Sequence, residues 1–139
     1  MGQVTVHVTL TNARELVMSR LGHLAPEAVH TCQVEARVDT GTMRSVVPPA
    51  VAEALGLVRM GRSEAQMADG RWGEAEVSEA VAVRLVAGVE RSTVVPMLIM
   101  GEIVLLGAIV LEGMDLLVDC PRGQLVPNAG TWAQPVFRV

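Results

Sequence analysis

Alternating hydrophobic and polar residues near the start of the chain predict a β-strand. The segment VTVHVTL at 4–10 places an apolar side chain at every second position, which is the period of a strand with one buried face. The same alternation over 32–38 predicts a strand that ends at Asp39. Residues 14–30 follow neither period, and we interpret them as a further strand and a loop around Pro26.

Two short helices fit the pattern between and beyond the strands. The segment PPAVAEALGL at 48–57 begins with paired prolines, contains helix-favouring residues and has Gly56 near its end, as expected of a capped helix. Residues 103–106 predict a short buried strand ending at Gly107. The segment that follows, 108–114, predicts a second helix.

Turn-forming residues divide the remaining chain into strands. Asp69 and Gly70 form a hairpin turn signal, and 75–86 and 91–100 predict long strands joined near Gly88. The segment LLVDCPRGQLVP at 116–127 predicts a hairpin with its turn at Pro-Arg-Gly. Many short strands of this kind favour a mainly β, closed or sandwiched barrel, formed by one domain over 1–139.

Composition and charge restrict the partners of this domain. The chain has 139 residues, half of them hydrophobic, and its aromatic residues are Trp72, Trp132 and Phe137. The core is therefore expected to be aliphatic. With 15 acidic and 11 basic residues and a net charge of −4, the chain is not expected to bind nucleic acid or an anionic membrane.

The most apolar run, 93–111, is better explained by buried strands than by a membrane helix. A membrane helix needs about 20 apolar residues with few charges, whereas this run contains Pro96 and Glu102. The first ten residues lack the features of a signal peptide, and Cys32 and Cys120 do not form a disulfide framework. These features predict a cytoplasmic protein.

Candidate chemistry lies at Asp39, Thr40 and Gly41, between two apolar runs in VEARVDTGTMRSVVP at 34–48. A carboxylate at the end of a core strand is costly to bury unless its neighbours satisfy it. Taken alone, the triplet could be a turn in which Gly41 supplies a positive φ. Its context favours catalysis, because the apolar-glycine segment VLLG follows downstream at 104–107.

Together the two motifs resemble the retroviral-type (retropepsin-like) aspartic proteases, specifically their small single-domain bacterial and cellular members. The resemblance extends from the strand before Asp39 to the hairpin at 116–127, and includes the helix ending in ALGL at 54–57. It implies a closed β-barrel-like acid-protease fold in which each chain supplies half of a two-fold symmetric site. The implied activity is that of an aspartic endopeptidase without metal or cofactor.

The resemblance also implies a role for each motif residue. Asp39 would be the catalytic carboxylate, the Thr40 hydroxyl would hydrogen-bond to the partner loop, and Gly41 would allow two backbones to approach. Thr42 stands where many retroviral enzymes have alanine, and its hydroxyl would donate to the outer oxygen of Asp39. The segment expected to pack beneath this loop consists of Leu105, Leu106 and Gly107.

A single Asp-Thr-Gly triplet implies a homodimer, because Ala68-Asp69-Gly70 lacks the hydroxyl residue. The strand 4–10 and the tail TWAQPVFRV are candidates for strands at the interface. The hairpin around 66–74 matches the position of the family's flap, a lid over a peptide or protein substrate. The flap candidates are Asp69, Gly70, Arg71 and Trp72.

Two other functions compete with the protease hypothesis. The same fold can serve as a non-catalytic dimerisation or peptide-binding module. A small metal-binding β domain would use His23, His30 and Cys32. Tetrahedral zinc sites usually show tighter paired spacings, so no metal site is predicted.

Overall fold

The computed structural model describes residues 3–67, 69–86 and 90–128, and these ranges contain eleven strands and three α-helices. The strands are β1 (Val4–Asn12), β2 (Thr31–Val38), β3 (Val46–Val47), β4 (Arg59–Gln66), β5 (Trp72–Ser78), β6 (Val81–Leu85), β7 (Ser92–Val95), β8 (Leu98–Ile99), β9 (Val104–Leu106), β10 (Leu116–Asp119) and β11 (Gln124–Pro127). The helices are α1 (Ala13–Arg20), α2 (Pro49–Ala54) and α3 (Ala108–Gly113), with a 3-10 turn at Pro26–Ala28.

One large sheet organises the chain. Nine strands follow the order β4-β5-β8-β3-β9-β2-β1-β6-β7, while β10 and β11 form a separate hairpin. The pairs β2–β9 and β3–β8 are parallel, and the other pairs are antiparallel. The prediction of a mainly β fold with a few short helices is confirmed, and the sheet has the form of a half-barrel.

The core is aliphatic, as the composition predicts. Val8, Leu10 and Leu106 are fully buried, and the buried hydrophobic residues of the described ranges include no aromatic side chain. Each such aliphatic side chain contributes about 1.5–3 kcal/mol by leaving water. The fully buried Leu55, beyond the end of α2, belongs to the same cluster.

The strand β1 lies inside the sheet, which limits its part in any interface. It pairs with β2 from Val4 to Thr11 and with β6 from Val8 to Asn12. Residues 8–10 therefore have both edges occupied by strands of the same chain, while a place for strand 4–10 at an interface stays a prediction. The other interface candidate, TWAQPVFRV, lies outside the described residues.

Helix α1 occupies part of the segment that the sequence suggested would be a strand, so that expectation is wrong. The Asn12 side chain caps the helix by accepting a hydrogen bond from the Glu15 N–H at 3.1 Å, a typical start signal. No residue of α1 is buried, so the helix packs no apolar face into the core. None of the helices in the described ranges is long and apolar enough to cross a membrane.

The long strands expected at 75–86 and 91–100 are each broken in two. Ser78, at the end of β5, is buried, and its N–H donates to the Met97 carbonyl at 2.8 Å while its Oγ accepts from the Met97 N–H at 3.1 Å. Pro96 has no N–H to continue β7. The predicted helices at 48–57 and 108–114 and the hairpin at 116–127 are confirmed, whereas the connection at Gly88 lies outside the described residues.

Candidate active site

Parallel pairing of β2 with β9 determines where Asp39 lies. Val38 is the register partner of Leu106, and the Asp39 N–H donates to the Leu106 carbonyl oxygen at 3.0 Å. In a parallel pair the carboxyl ends of both strands lie at the same edge of the sheet. The loop that begins at Asp39 therefore starts beside Gly107.

Gly107 is in close contact with this loop. A Cβ added to Gly107 would lie 2.7 Å from the carbonyl oxygen of Arg44 and 2.8 Å from those of Met43 and Thr42. Real Cβ atoms do not approach backbone oxygens so closely, so only glycine fits without a shift of the backbone. The loop after Asp39 thus packs directly on the backbone that follows β9.

Hydrogen bonds hold the same loop in place. The Ala108 N–H donates to the Thr42 carbonyl at 2.8 Å, and the Ile109 N–H donates to the Met43 carbonyl at 3.1 Å. The Gly107 N–H donates to the buried Ser45 Oγ at 2.9 Å. These bonds satisfy backbone groups at the start of α3 that have no partner within the helix, and they fix the loop to it.

The Asp39 carboxylate is oriented by its own loop. Its Oδ1 accepts a hydrogen bond from the Gly41 N–H at 2.9 Å, and a Cβ on Gly41 would lie 3.2 Å from the same oxygen. Gly41 does not have a positive φ, so the alternative in which it supplies one is wrong. Asp39 is exposed, so the expected burial of this carboxylate is wrong for a single chain.

The two threonines of the loop differ in their surroundings. Thr40 is exposed, while Thr42 is half-buried and its hydroxyl donates to the Arg44 carbonyl at 3.2 Å. A hydroxyl has one hydrogen to donate. The expectation that Thr42 donates to Asp39 is therefore wrong in this arrangement.

A cleft of about 640 Å³ lies beside Asp39. Its lining combines aliphatic side chains, two arginines and the tip of the β4–β5 hairpin. Leu105 lines it, whereas Leu106 is fully buried in the core, because neighbouring residues of a strand point to opposite faces. The residues that line it include Arg37, Asp39, Arg44, Glu64, Met67, Trp72, Leu98, Glu102 and Leu105.

The β4–β5 hairpin borders the cleft. Its turn is closed by the Met67 N–H, which donates to the Arg71 carbonyl at 2.7 Å, and Gly70 has a φ of 86°. Asp69 accepts hydrogen bonds from the Arg71 backbone and side chain, and these hold the pKa of Asp69 below its usual value. The predicted turn is confirmed, while Ala68 lies outside the described residues.

Of the four flap candidates, Trp72 lines the cleft, and its side chain is 69% exposed. Strand β4 is an element that the sequence did not predict, because among its residues only Ala65 is buried. The Arg44 Nη1 donates to the Ser63 Oγ of this strand at 2.8 Å. This bond connects the loop of Asp39 with the hairpin.

Arg37 is a residue of the cleft that lies outside the Asp-Thr-Gly motif. It precedes Asp39 by two positions on β2, and both residues line the cleft. The two-residue period of a strand places such side chains on one face. That period, extended from Asp39 backwards, is the signal that identifies Arg37 from the sequence.

The structure disfavours a metal site at two of the residues considered for one, His30 and Cys32. The His30 Nδ1 lies 2.8 Å from a Glu15 carboxylate oxygen. Burial raises the pKa of the Cys32 thiol, which disfavours the thiolate that binds zinc. Across the described ranges, no three His, Cys, Asp or Glu side chains are grouped to hold a metal ion.

Comparison with solved structures shows the fold. The chain is similar to the crystal structure of the retroviral protease-like domain of Ddi1 from Leishmania major, with a TM-score of 0.56 and 16% sequence identity. The match covers 93% of this chain and 90% of that one. No protein-family model matches the sequence, and the comparison with curated proteins found no match. At this identity the similarity establishes a retropepsin-like fold.

Proposed function

We propose that the chain is an aspartic endopeptidase that hydrolyses peptide bonds as a homodimer, with Asp39 as its catalytic carboxylate. The observation that carries this proposal is the position of Asp39. Its carboxylate is exposed beside a cleft of about 640 Å³, while the backbone of its loop is held by Leu106, Gly107 and α3. A rigid support under an exposed reactive group favours catalysis.

The homodimer follows from the number of carboxylates the mechanism needs. One chain supplies one Asp-Thr-Gly triplet, so a two-fold axis beside Asp39 would bring in the second. Exposure of Asp39 and Thr40 in a single chain fits a surface that a partner covers. Thr40 would then hydrogen-bond to the partner loop, and the barrel would close in the assembled enzyme.

The proposed chemistry uses the charge conflict between two carboxylates. Two such groups a few ångströms apart do not both ionise, so they share one proton. The ionised Asp39 takes a proton from water as the water oxygen bonds to the substrate carbonyl carbon, and the protonated Asp39 donates its proton to the carbonyl oxygen. The Asp39 that took the proton from water then gives it to the nitrogen as the C–N bond breaks, and a hydroxyl of the tetrahedral intermediate returns its proton to the other Asp39, releasing an amine and a carboxylic acid.

Substitution of Asp39 tests the proposal. Asp39→Asn should abolish cleavage of an unfolded protein substrate while circular dichroism and thermal unfolding remain close to wild type, because the amide occupies the same space at an exposed position. Asp119→Asn, at the end of β10, is the matched control and should cleave normally. Sedimentation should give twice the chain mass. Full activity of Asp39→Asn, or cleavage by a monomer, would refute the mechanism.

A non-catalytic peptide-binding module is the second candidate. The cleft has an aliphatic floor that includes Leu98 and Leu105 and is bordered by Trp72, and such a surface can bind an extended peptide without any chemistry at Asp39. This function predicts that wild type and Asp39→Asn bind the same peptides equally and that neither cleaves them.

A further inference from the structure

Arg37 lies close to the proposed catalytic group and faces the same cleft. Arg37 is in β2 and Asp39 directly follows its last residue, Val38, so the two are separated by about 7 Å, the span of two residues of extended chain. Leu105, the register partner of Arg37 on β9, also lines the cleft. The side chain of Arg37 therefore lies in the cleft with Leu105 beside it and Asp39 two residues further along the chain.

The guanidinium of Arg37 has an unused donor. The side chain is half-buried, and its buried Nε has no hydrogen-bond partner among the residues that the structure describes. No acidic side chain within those ranges forms an ion pair with it. A buried N–H without an acceptor is costly, and more so when the group is charged. The described residues thus give this guanidinium no acceptor and no counter-charge, so a carboxylate that enters the cleft and reaches its outer Nη groups would supply both.

The other charged groups of the cleft are placed differently. Arg44 already donates to Ser63 at 2.8 Å. Glu64 and Glu102 also line the cleft, but both are exposed to solvent, where water screens their charge. Arg37 therefore differs from Arg44, because its buried Nε has no hydrogen-bond partner among the described residues.

We infer that Arg37 is a specificity-determining residue that selects substrates with an acidic side chain beside the scissile bond. This inference rests on the proposed function. A carboxylate matches the planar donor array of a guanidinium and can accept two hydrogen bonds from it. The repeat of an extended peptide is also about 7 Å for two residues, so a glutamate or aspartate within two residues of the bond held at Asp39 reaches Arg37 when the peptide runs along β2. A homodimer offers one Arg37 on each side of the bond.

Paired peptides test the inference. A peptide that the enzyme cleaves is first identified from a mixture, and glutamate or glutamine is then placed at each position flanking the cleaved bond. Wild type should have a kcat/KM about 10- to 100-fold higher for glutamate than for glutamine at one of these positions, the range expected for a charge-assisted hydrogen bond. Arg37→Gln should remove the preference, and Arg37→Glu should favour lysine over glutamine there.

Controls separate specificity from folding and from charge in general. Arg20→Gln changes an exposed arginine at the end of α1 and should leave the glutamate preference at its wild-type value. Arg37→Lys, which keeps the positive charge, should keep part of the preference for glutamate over glutamine. Calorimetry of the same peptide pairs with the Asp39→Asn variant measures the preference as a difference in binding affinity, so it is read independently of turnover.

The outcomes distinguish failure of the inference from failure of the proposed function. If Asp39→Asn still cleaves, the proposed function fails. If Asp39→Asn is inactive but Arg37→Gln, folded and dimeric, keeps the wild-type glutamate preference, only the inference is overturned. If Arg37→Gln dissociates the dimer while the glutamate preference of the active fraction persists, Arg37 pairs with a carboxylate of the partner subunit, which also overturns it.

Discussion

The carbonyl oxygen of Thr42 lies 2.8 Å from the position that a Cβ on Gly107 would occupy. This contact joins the loop after β2 to the segment after β9, two parts of the chain that are distant in sequence. Gly107 has an extended backbone, with φ −90° and ψ −178°, which any residue can adopt. Its need for glycine therefore comes from the neighbouring backbone alone.

Gly107→Ala should destabilise the protein and impair the site together. The added methyl group meets three backbone carbonyl oxygens, and overpacking of this kind costs about 1–3 kcal/mol. Relief requires the Asp39 loop to move away from α3. We expect a lower free energy of unfolding in urea and a lower kcat.

Gly61→Ala is the control for that substitution. A Cβ at Gly61, on β4, would have no heavy atom within 4 Å, and its φ is not positive. Its free energy of unfolding should stay within about 0.5 kcal/mol of wild type. Equal effects of the two substitutions would show that the contact with the Thr42 carbonyl does not constrain the loop.

Glu79 should make the fold sensitive to acid. Its carboxylate accepts hydrogen bonds from the Arg14 guanidinium at 2.8 and 3.2 Å and from the Val58 N–H at 2.7 Å. The hydrogen bonds from Arg14, opposed by burial and assisted by the bond from Val58, hold the pKa of Glu79 below its ordinary value of 4.5. The folded state therefore binds this proton more weakly than the unfolded state.

Because the pKa of Glu79 is lowered in the folded state, the free energy of unfolding should decrease in acid. The stability contributed by ionised Glu79 is complete above pH 4.5, the ordinary pKa, and is lost as pH falls through the lower folded-state pKa. At neutral pH, Glu79→Gln should be less stable than wild type by about 1–3 kcal/mol, and the difference should shrink in acid. Urea unfolding from pH 7 to pH 3 measures it, with the exposed Glu53→Gln as control. A difference that does not change with pH would contradict this role.

Thr42→Val should weaken the loop without changing the pH dependence of cleavage. The Thr42 hydroxyl donates to the Arg44 carbonyl, so its loss removes one hydrogen bond, worth about 0.5–1.5 kcal/mol. Because that hydrogen is not directed at Asp39, the pH at which activity declines should stay at its wild-type value. Urea unfolding and a pH–rate profile check both parts. A shifted profile would show that the hydroxyl turns to Asp39 in the dimer.

The sequence predicted the elements whose pattern is local. The alternation in β1, the turn at Asp69 and Gly70 and the helix α3 are all present in the structure. Helix α1 was missed because none of its side chains is buried. Its one signal was the pairing of Asn12 with Glu15 three residues later, the spacing of an N-terminal cap.

Features that depend on distant contacts were harder to predict. Asn12 is fully buried, and its side-chain amide donates to the Leu55 carbonyl at 3.0 Å, a contact that no local pattern indicates. Arg37 shows the opposite case, since its place in the cleft follows from the strand period alone. The motif of the resembled family begins at Asp39, whereas Arg37 comes before it.

Trp72 provides an optical test of the hairpin as a lid. Its side chain is 69% exposed and lines the cleft, and a peptide held beneath the hairpin would remove part of it from water. In a Trp132→Phe background, which leaves Trp72 as the sole tryptophan, binding of a peptide to the Asp39→Asn variant should shift tryptophan emission to shorter wavelength.

Amide hydrogen exchange and enzyme kinetics also test whether the hairpin acts as a lid. Amides of 69–73 should exchange rapidly in the free protein and become protected when the peptide binds, because the turn has few buried contacts until substrate lies beneath it. Trp72→Ala should raise KM more than it lowers kcat, since the side chain contacts substrate away from the reacting atoms. Val94→Ala, an exposed residue of β7 outside the cleft, should change neither. If these amides are among the best protected in the free protein, or if Trp72 emission does not change with saturating peptide, the hairpin is a fixed wall of the cleft.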